Sequence, residues 1–333
     1  MKTLLSFIIL VYFSFSSSHL LAGSTLPEPS ATSPKELAQA VADYFSRLPQ
    51  TFQFSSLLEY RQFDAAGAPV KEYPFGYLTT GDYSYLQDGF RYYITDHSQI
   101  ANNAARNRSI IAYDGHLYQR LRLGDQQLYI QHNVAFDQRP SEYFLRYANP
   151  LLLAWEFASS QVAKNDFGAD LGVWELRSKT LAETLIPRIR KVDVENGRDG
   201  QEIVAEIAAG SEAITKQPSV YRVHFLPARG MFPVMWERYD ENGRLIFRYA
   251  VEQLGQVTDA NGQPLLVPVA SKREFFGGVP ARPSRDLPYW QIAYKITNID
   301  MAPKVEDEDF TIDPALAKTI YDSDQHVLID VPN

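Results

Sequence analysis

Residues Phe232–Gly255, FPVMWERYDENGRLIFRYAVEQLG, read as two strands around a tight turn. In the second strand Leu245, Phe247, Tyr249 and Val251 alternate with Ile246, Arg248, Ala250 and Glu252, the two-residue period of a half-buried strand. One face is nearly all large and apolar and the other is mixed, so something must cover the first. The joint is Asp240-Glu241-Asn242-Gly243, with Asp first and Gly fourth, which suits a type I turn closed by a glycine bulge. The same chemistry recurs at Asp64–Gly67 and Asp259–Gly262, as at the joints of an antiparallel meander. None of the three turns has the alternating acidic ligands and distal glutamate of a calcium loop.

Outward from this hairpin, strand signals dominate. FQFSSLLEYRQF places Phe52, Phe54, Leu58 and Tyr60 on one face. Short Tyr-, Ile- and Leu-rich runs follow through QLYIQHNV, and YWQIAYKITNI later puts Trp290, Ile292, Tyr294 and Ile296 together. Two regions read as helical. In the first, Ser33 is the N-cap, Pro34 the first helical position and Glu36 the partner of a capping box; Leu37, Val41, Tyr44, Phe45 and Leu48 recur at helical spacing to about Leu48. The second, SEYFLRYANPLLLAWEFASS, reads as two short helices broken before Pro150. Residues 160–215 mix strand-like and alanine-rich pieces and give no clear pattern. Ten or more strands with so few helices require a sheet that closes, doubles or curls around something. Patterning alone leaves both an ordinary filled core and a ligand cavity open.

The 333 residues are 45% hydrophobic and 22% charged, which makes the chain globular rather than disordered. Its N-terminus reads as a secretory signal over residues 1–23: basic Lys2, the apolar run LLSFIILVYFSF, and small residues for cleavage near Ala22 or Gly23. A polar leader, 24–33, separates it from a single domain over 34–333 with insertions near 160–215 and 255–290. No later apolar run is long enough to span a bilayer, so the expected mature protein is exported and not inserted in a membrane. There are no cysteines, which excludes disulfides, thiol catalysis and a lipid-modified N-terminal cysteine. Without the signal's Lys2 the formal charge moves from −8 to −9, which argues against nucleic acid as a partner.

Catalytic motifs are missing: no nucleophile elbow, zinc-protease helix, Walker loop or dinucleotide fingerprint occurs. His97, His116, His132, His224 and His326 are scattered away from metal-ligand spacing. His224 reads as a strand residue, and Asp322, Asp324 and His326 as part of a solvated acidic loop. An enzyme, a metal and a cofactor are therefore not expected.

An amphipathic helix precedes FQFSSLLEYRQFDAAG; AYDGHLYQ carries Asp114, Gly115 and Tyr118; a helical NPLLLAWE follows; and the chain closes on FTIDPALAKTIYD, with Phe310, Thr311, Ile312, Pro314, Ile320 and Asp322. In this order of elements and in these motifs the chain resembles the LolA/LolB-type periplasmic lipoprotein carriers and their relatives, among them the N-terminal domain of RseB regulators. The resemblance covers roughly residues 34–160 and 218–325. It implies a mainly β, α+β fold: a large curved antiparallel sheet forming an incomplete barrel, its concave side plugged by helices acting as a lid. It also implies binding of a lipid or of lipoprotein acyl chains there. The implied lining is Phe54, Leu58, Tyr60, Tyr92, Ile94, Phe247, Tyr249, Trp290 and Ile292, with Leu152, Leu153 and Trp155 on the lid. The arginine by which these carriers tie sheet to lid matches no residue in the sequence. The alternative expectation is an envelope sensor or scaffold that uses the same sheet to contact a protein partner.

Overall fold

The fold is described from a computed structural model, for residues 33–64, 66–70, 78–89, 91–97, 99–100, 108–134, 150–158, 180–197, 200–209, 219–259, 261–277 and 287–331. The signal read at 1–23, all of the leader but Ser33, and the part of the second helical region before Pro150 lie outside these residues. Helix α1, Pro34–Arg47, begins as its sequence dictates. The Ser33 hydroxyl accepts the Glu36 N–H, and the Glu36 carboxylate accepts the Ser33 N–H at 2.7 Å, completing the capping box. Leu37, Val41, Tyr44 and Phe45 form the helix's buried stripe.

The strands are β1 Thr51–Gln62, β2 Leu78–Asp88, β3 Arg91–Asp96, β4 Gln99–Ile100, β5 Ser109–Tyr113, β6 Tyr118–Arg122 and β7 Gln127–Gln131, then β8 Ile189–Gly197 and β9 Gly200–Ala208. They continue as β10 Val220–Leu226, β11 Phe232–Tyr239, β12 Leu245–Thr258, β13 Pro264–Phe275, β14 Trp290–Asp300, β15 Thr319–Asp322 and β16 Val327–Asp330. All lie in one sheet of order β16-β15-β7-β6-β5-β3-β2-β1-β14-β13-β12-β11-β10-β9-β8, with β4 beside β2. Pairing is antiparallel except between β15 and β7, which run parallel. The path ends at β16 and β8 without joining them, so the barrel is incomplete.

One buried cluster holds α1 together with side chains from β1, β2, β3, β5 and β6 and from β9 to β14. Only a sheet curled around its plug brings strands so far apart in the order onto one core. On β12 the inner face carries Phe247, Tyr249 and Val251, so the apolar side of the 232–255 hairpin is the concave one. The opposite face of this part of the sheet carries polar contacts: the ion pairs Arg222–Glu195 at 2.7 Å and Arg248–Glu237 at 2.8 Å, and a His224–Glu202 hydrogen bond at 2.9 Å. A second, smaller core lies on the outside of β5–β7, where Ala112, Leu121 and Leu128 are covered by Ile312 and Ala317. The FTIDPALA segment thus buries the outer side of this part of the sheet, leaving both faces of these strands apolar.

The three predicted turns are alike. Gly67, Gly243 and Gly262 each donate a backbone N–H at 3.0 Å to the carbonyl of Asp64, Asp240 and Asp259. The glycines have φ of 83°, 72° and 76°, the left-handed region that a glycine bulge requires.

Candidate functional site: the lid over the inner face

Pro150 starts a short helix, α2 (Pro150–Leu153), at the position where its missing N–H is no loss; a 3₁₀ turn over Glu156–Ala158 follows. Together these residues form a lid on the concave face, while the further short helix α3 (Leu181–Leu185) packs against α1. Its residues Leu151, Leu153, Trp155 and Phe157 are buried. The Trp155 ring stacks on Tyr44 of α1 at 4.4 Å and meets Phe45 and Phe232 edge-on at 5.1 and 5.5 Å.

The lid also carries a carboxylate into the core. Glu156 receives the Arg273 guanidinium from β13 at 2.8 and 3.1 Å and the Tyr221 hydroxyl from β10 at 3.2 Å. The Arg273 and Glu156 side chains are only 4% and 6% exposed. The Arg273 guanidinium lies 4.7 Å over the Phe247 ring and 5.7 Å over Trp236, so its remaining surface meets aromatic faces. Trp236 donates its indole N–H to the Leu153 carbonyl at 2.9 Å. Arg188, also buried, donates to the carbonyls of Phe157 and Ala158 on the lid and of Ala208 on β9, at 2.7, 3.0 and 2.9 Å. Burial pushes the Tyr44, Tyr221 and Tyr249 hydroxyls well above the ordinary tyrosine range, so they stay neutral.

Of the residues expected to line the trough, Phe54, Leu58, Tyr92, Ile94, Leu153, Trp155, Tyr249 and Ile292 share this one buried cluster. Tyr60, Phe247 and Trp290 are half-buried at its margin. The Leu152 side chain lies outside the described residues. At the margin Phe275, which the strand pattern did not single out, stacks on Trp290 at 5.3 Å and tilts against Phe247 at 4.8 Å, and Tyr60 lies 6.1 Å from Trp290. These four half-buried rings form an aromatic mouth beside Arg273. The contact between Arg273 and the lid is non-local and has no signal in the sequence around β13.

The other groups weighed from sequence have structural partners. Asp322 accepts the backbone N–H groups of Asp324 and Gln325, and Asp324 accepts that of His132 at 2.6 Å. No cluster of three or more potential metal ligands occurs among the described residues, and no helix among them is long and apolar enough to cross a membrane.

No protein-family model and no curated protein sequence matches the chain. Solved structures that it resembles include a DUF1329 family protein from Desulfovibrio piger, at 11% identity and a TM-score of 0.44, covering 84% of this chain and 98% of that one. A LolA superfamily protein from Nitrosomonas europaea aligns at 14% identity and a TM-score of 0.41, over 85% and 99% of the two chains. A putative outer membrane lipoprotein-sorting protein domain from Vibrio parahaemolyticus aligns at 10% identity and a TM-score of 0.42, over 83% and 97%. A LolA superfamily protein, the family the sequence resembles, is thus among these neighbours. At these identities the likeness says nothing of ligand or partner.

Proposed function

We propose that the protein is a non-enzymatic, exported binding protein that holds a lipid, or the acyl chains of a lipoprotein, between the inner face of its sheet and its lid. Phe54, Leu58, Tyr60, Tyr92, Ile94, Phe247, Tyr249, Trp290 and Ile292 would contact the chain from the sheet, and Leu152, Leu153 and Trp155 from the lid. The observation that carries this reading is the Glu156–Arg273 pair. Apolar side chains of the same volume would close a permanent core at least as well as a buried ion pair does. A charged, directional contact instead makes a lid that separates from the sheet as a unit. Binding would be driven by burial of apolar surface, about 25 cal/mol per Å². Release would require the open state, because non-directional contacts alone do not distinguish docking from trapping.

The test is to purify the mature protein from a membrane-containing host, extract it and measure lipid by mass spectrometry, then titrate it with a fluorescent fatty acid. Bound lipid and saturable uptake are expected, with uptake lost in Phe247→Glu or Trp290→Glu. A bare polypeptide that takes up no probe would sink the reading. The stacking of Tyr44, Phe45, Trp155 and Phe232 across the concave face favours a second reading, a scaffold for a protein partner, which that negative result would support.

A further inference from the structure

The two open edges of the sheet differ. On β8 one apolar residue, Val194, is 41% exposed and lies between Asp193 and Glu195, which pair with Lys191 at 2.6 Å and with Arg222, charges of the kind that protect a strand edge. On β16 three consecutive apolar residues are bare: Val327, Leu328 and Ile329 are 41%, 57% and 50% exposed. Hydrogen bonding fixes which backbone groups this edge offers. Thr319 and Ser323 donate N–H groups to the carbonyls of Gln126 and Ile130, so odd-numbered residues of β15 face β7 and Ile320 and Asp322 face β16. The Val331 N–H reaches the Lys318 carbonyl in the same phase. In the β15–β16 register Val327 and Ile329 therefore bond to β15, while Leu328 and Asp330 turn their N–H and C=O groups outward.

Charge selects what this edge can accept. Residues 300–333 carry nine carboxylates against the two lysines Lys304 and Lys318, seven of the chain's eight net negative charges. Among them Asp330 is on β16, Asp324 is in its turn and Asp313 is in the segment just before β15, all exposed. Such a field repels an anionic bilayer, and it repels a second copy of the same edge. We propose that β16 is a docking edge for an extended, cationic and apolar polypeptide segment, which adds as a further strand and places lysines or arginines against these carboxylates. This site is separate from the inner face and does not depend on lipid binding there.

A synthetic peptide alternating lysine and valine, and its counterpart with glutamate for lysine, test the edge by fluorescence anisotropy on the whole protein. The lysine peptide should bind, the glutamate peptide should not, and added salt should weaken binding. Leu328→Pro removes an outward N–H and no ladder bond, so it should cut affinity at least about tenfold while circular dichroism and thermal unfolding stay unchanged. In the unaltered protein, the peptide should slow hydrogen exchange at the Leu328 and Asp330 amides and leave β8 unaffected. Equal binding of the two peptides, undiminished binding by a folded Leu328→Pro, or exchange protection elsewhere would overturn the proposal. So would co-sedimentation with phosphatidylglycerol vesicles through this edge, or dimerisation through it.

Discussion

Arg273 places a full charge against the Phe247 and Trp236 rings and pairs with the carboxylate of Glu156, 117 positions earlier in the chain. Neither residue can be replaced alone without leaving the other's charge buried. Arg273→Ala should cost about 3–5 kcal/mol of unfolding free energy, because the carboxylate it strands is enclosed by Tyr221 and the lid backbone. Replacing both, as Arg273→Met with Glu156→Leu, should recover most of that loss, since apolar residues of similar size tolerate the same enclosure. Urea unfolding of the two single variants and the double variant measures this. A double variant as unstable as the worse single one would show that the pair does not act as a unit. The pair was illegible in the sequence for a plain physical reason: a charged residue alternating along β13 looks the same whether its side chain lies on the outer face among other charges, as Lys272 and Glu274 do, or faces a distant carboxylate.

At the scale of elements, local chemistry was legible and non-local chemistry was not. The capping box of α1 and the three Asp-to-Gly turns depend on residues within four positions of one another, and the structure forms them as read. Strands β8 and β9 were missed because their alternation fails. Val204 and Ala205 are buried on successive positions of β9, and the β8–β9 register shifts between Ile189 and Lys191. The parallel β15–β7 pair, likewise, has no local signal. The Asp259 turn gives the local reading a test. Its Gly262 lies at φ 76° with open space where a Cβ would be, so Gly262→Ala should cost about 1 kcal/mol through backbone strain alone, and Gly262→Asn less. Asp259 also joins this turn to the end of α1 through Arg47 at 3.0 Å. The Gln263 backbone N–H, assisted by Arg47 and the Asn261 N–H against the opposing effect of desolvation, holds its carboxyl below the usual carboxylate range. A folded-state value below the unfolded value of about 4 means stability that is present above pH about 4 and lost as pH falls through the folded value. Thermal unfolding followed through this acid range should therefore fall less steeply for Asp259→Asn than for the parent.

At the scale of the molecule, the apolar face of the 232–255 hairpin is covered by two different kinds of plug. Helix α1 is packed from end to end, and Tyr44 donates its hydroxyl to the Leu266 carbonyl at 2.8 Å. The lid spans few residues and is fastened by the indole N–H of Trp236 and by two buried arginines, Arg273 and Arg188. A fold built this way should open in parts, because segments with few ladder bonds unfold locally at lower free energy than the sheet that carries them. Native-state hydrogen exchange separates the two plugs. Amides of residues 151–158 should exchange faster than those of α1 and of central strands β12–β14, and weakening the fastening through Arg188→Lys should speed the lid further while leaving α1 unchanged. The lysine retains the charge but cannot reach three carbonyls on two elements with a planar fork, so it loosens the lid without removing the cation. If lid and α1 exchange at one common rate in parent and variant alike, the concave face is a single sealed core and the lid does not move as a unit.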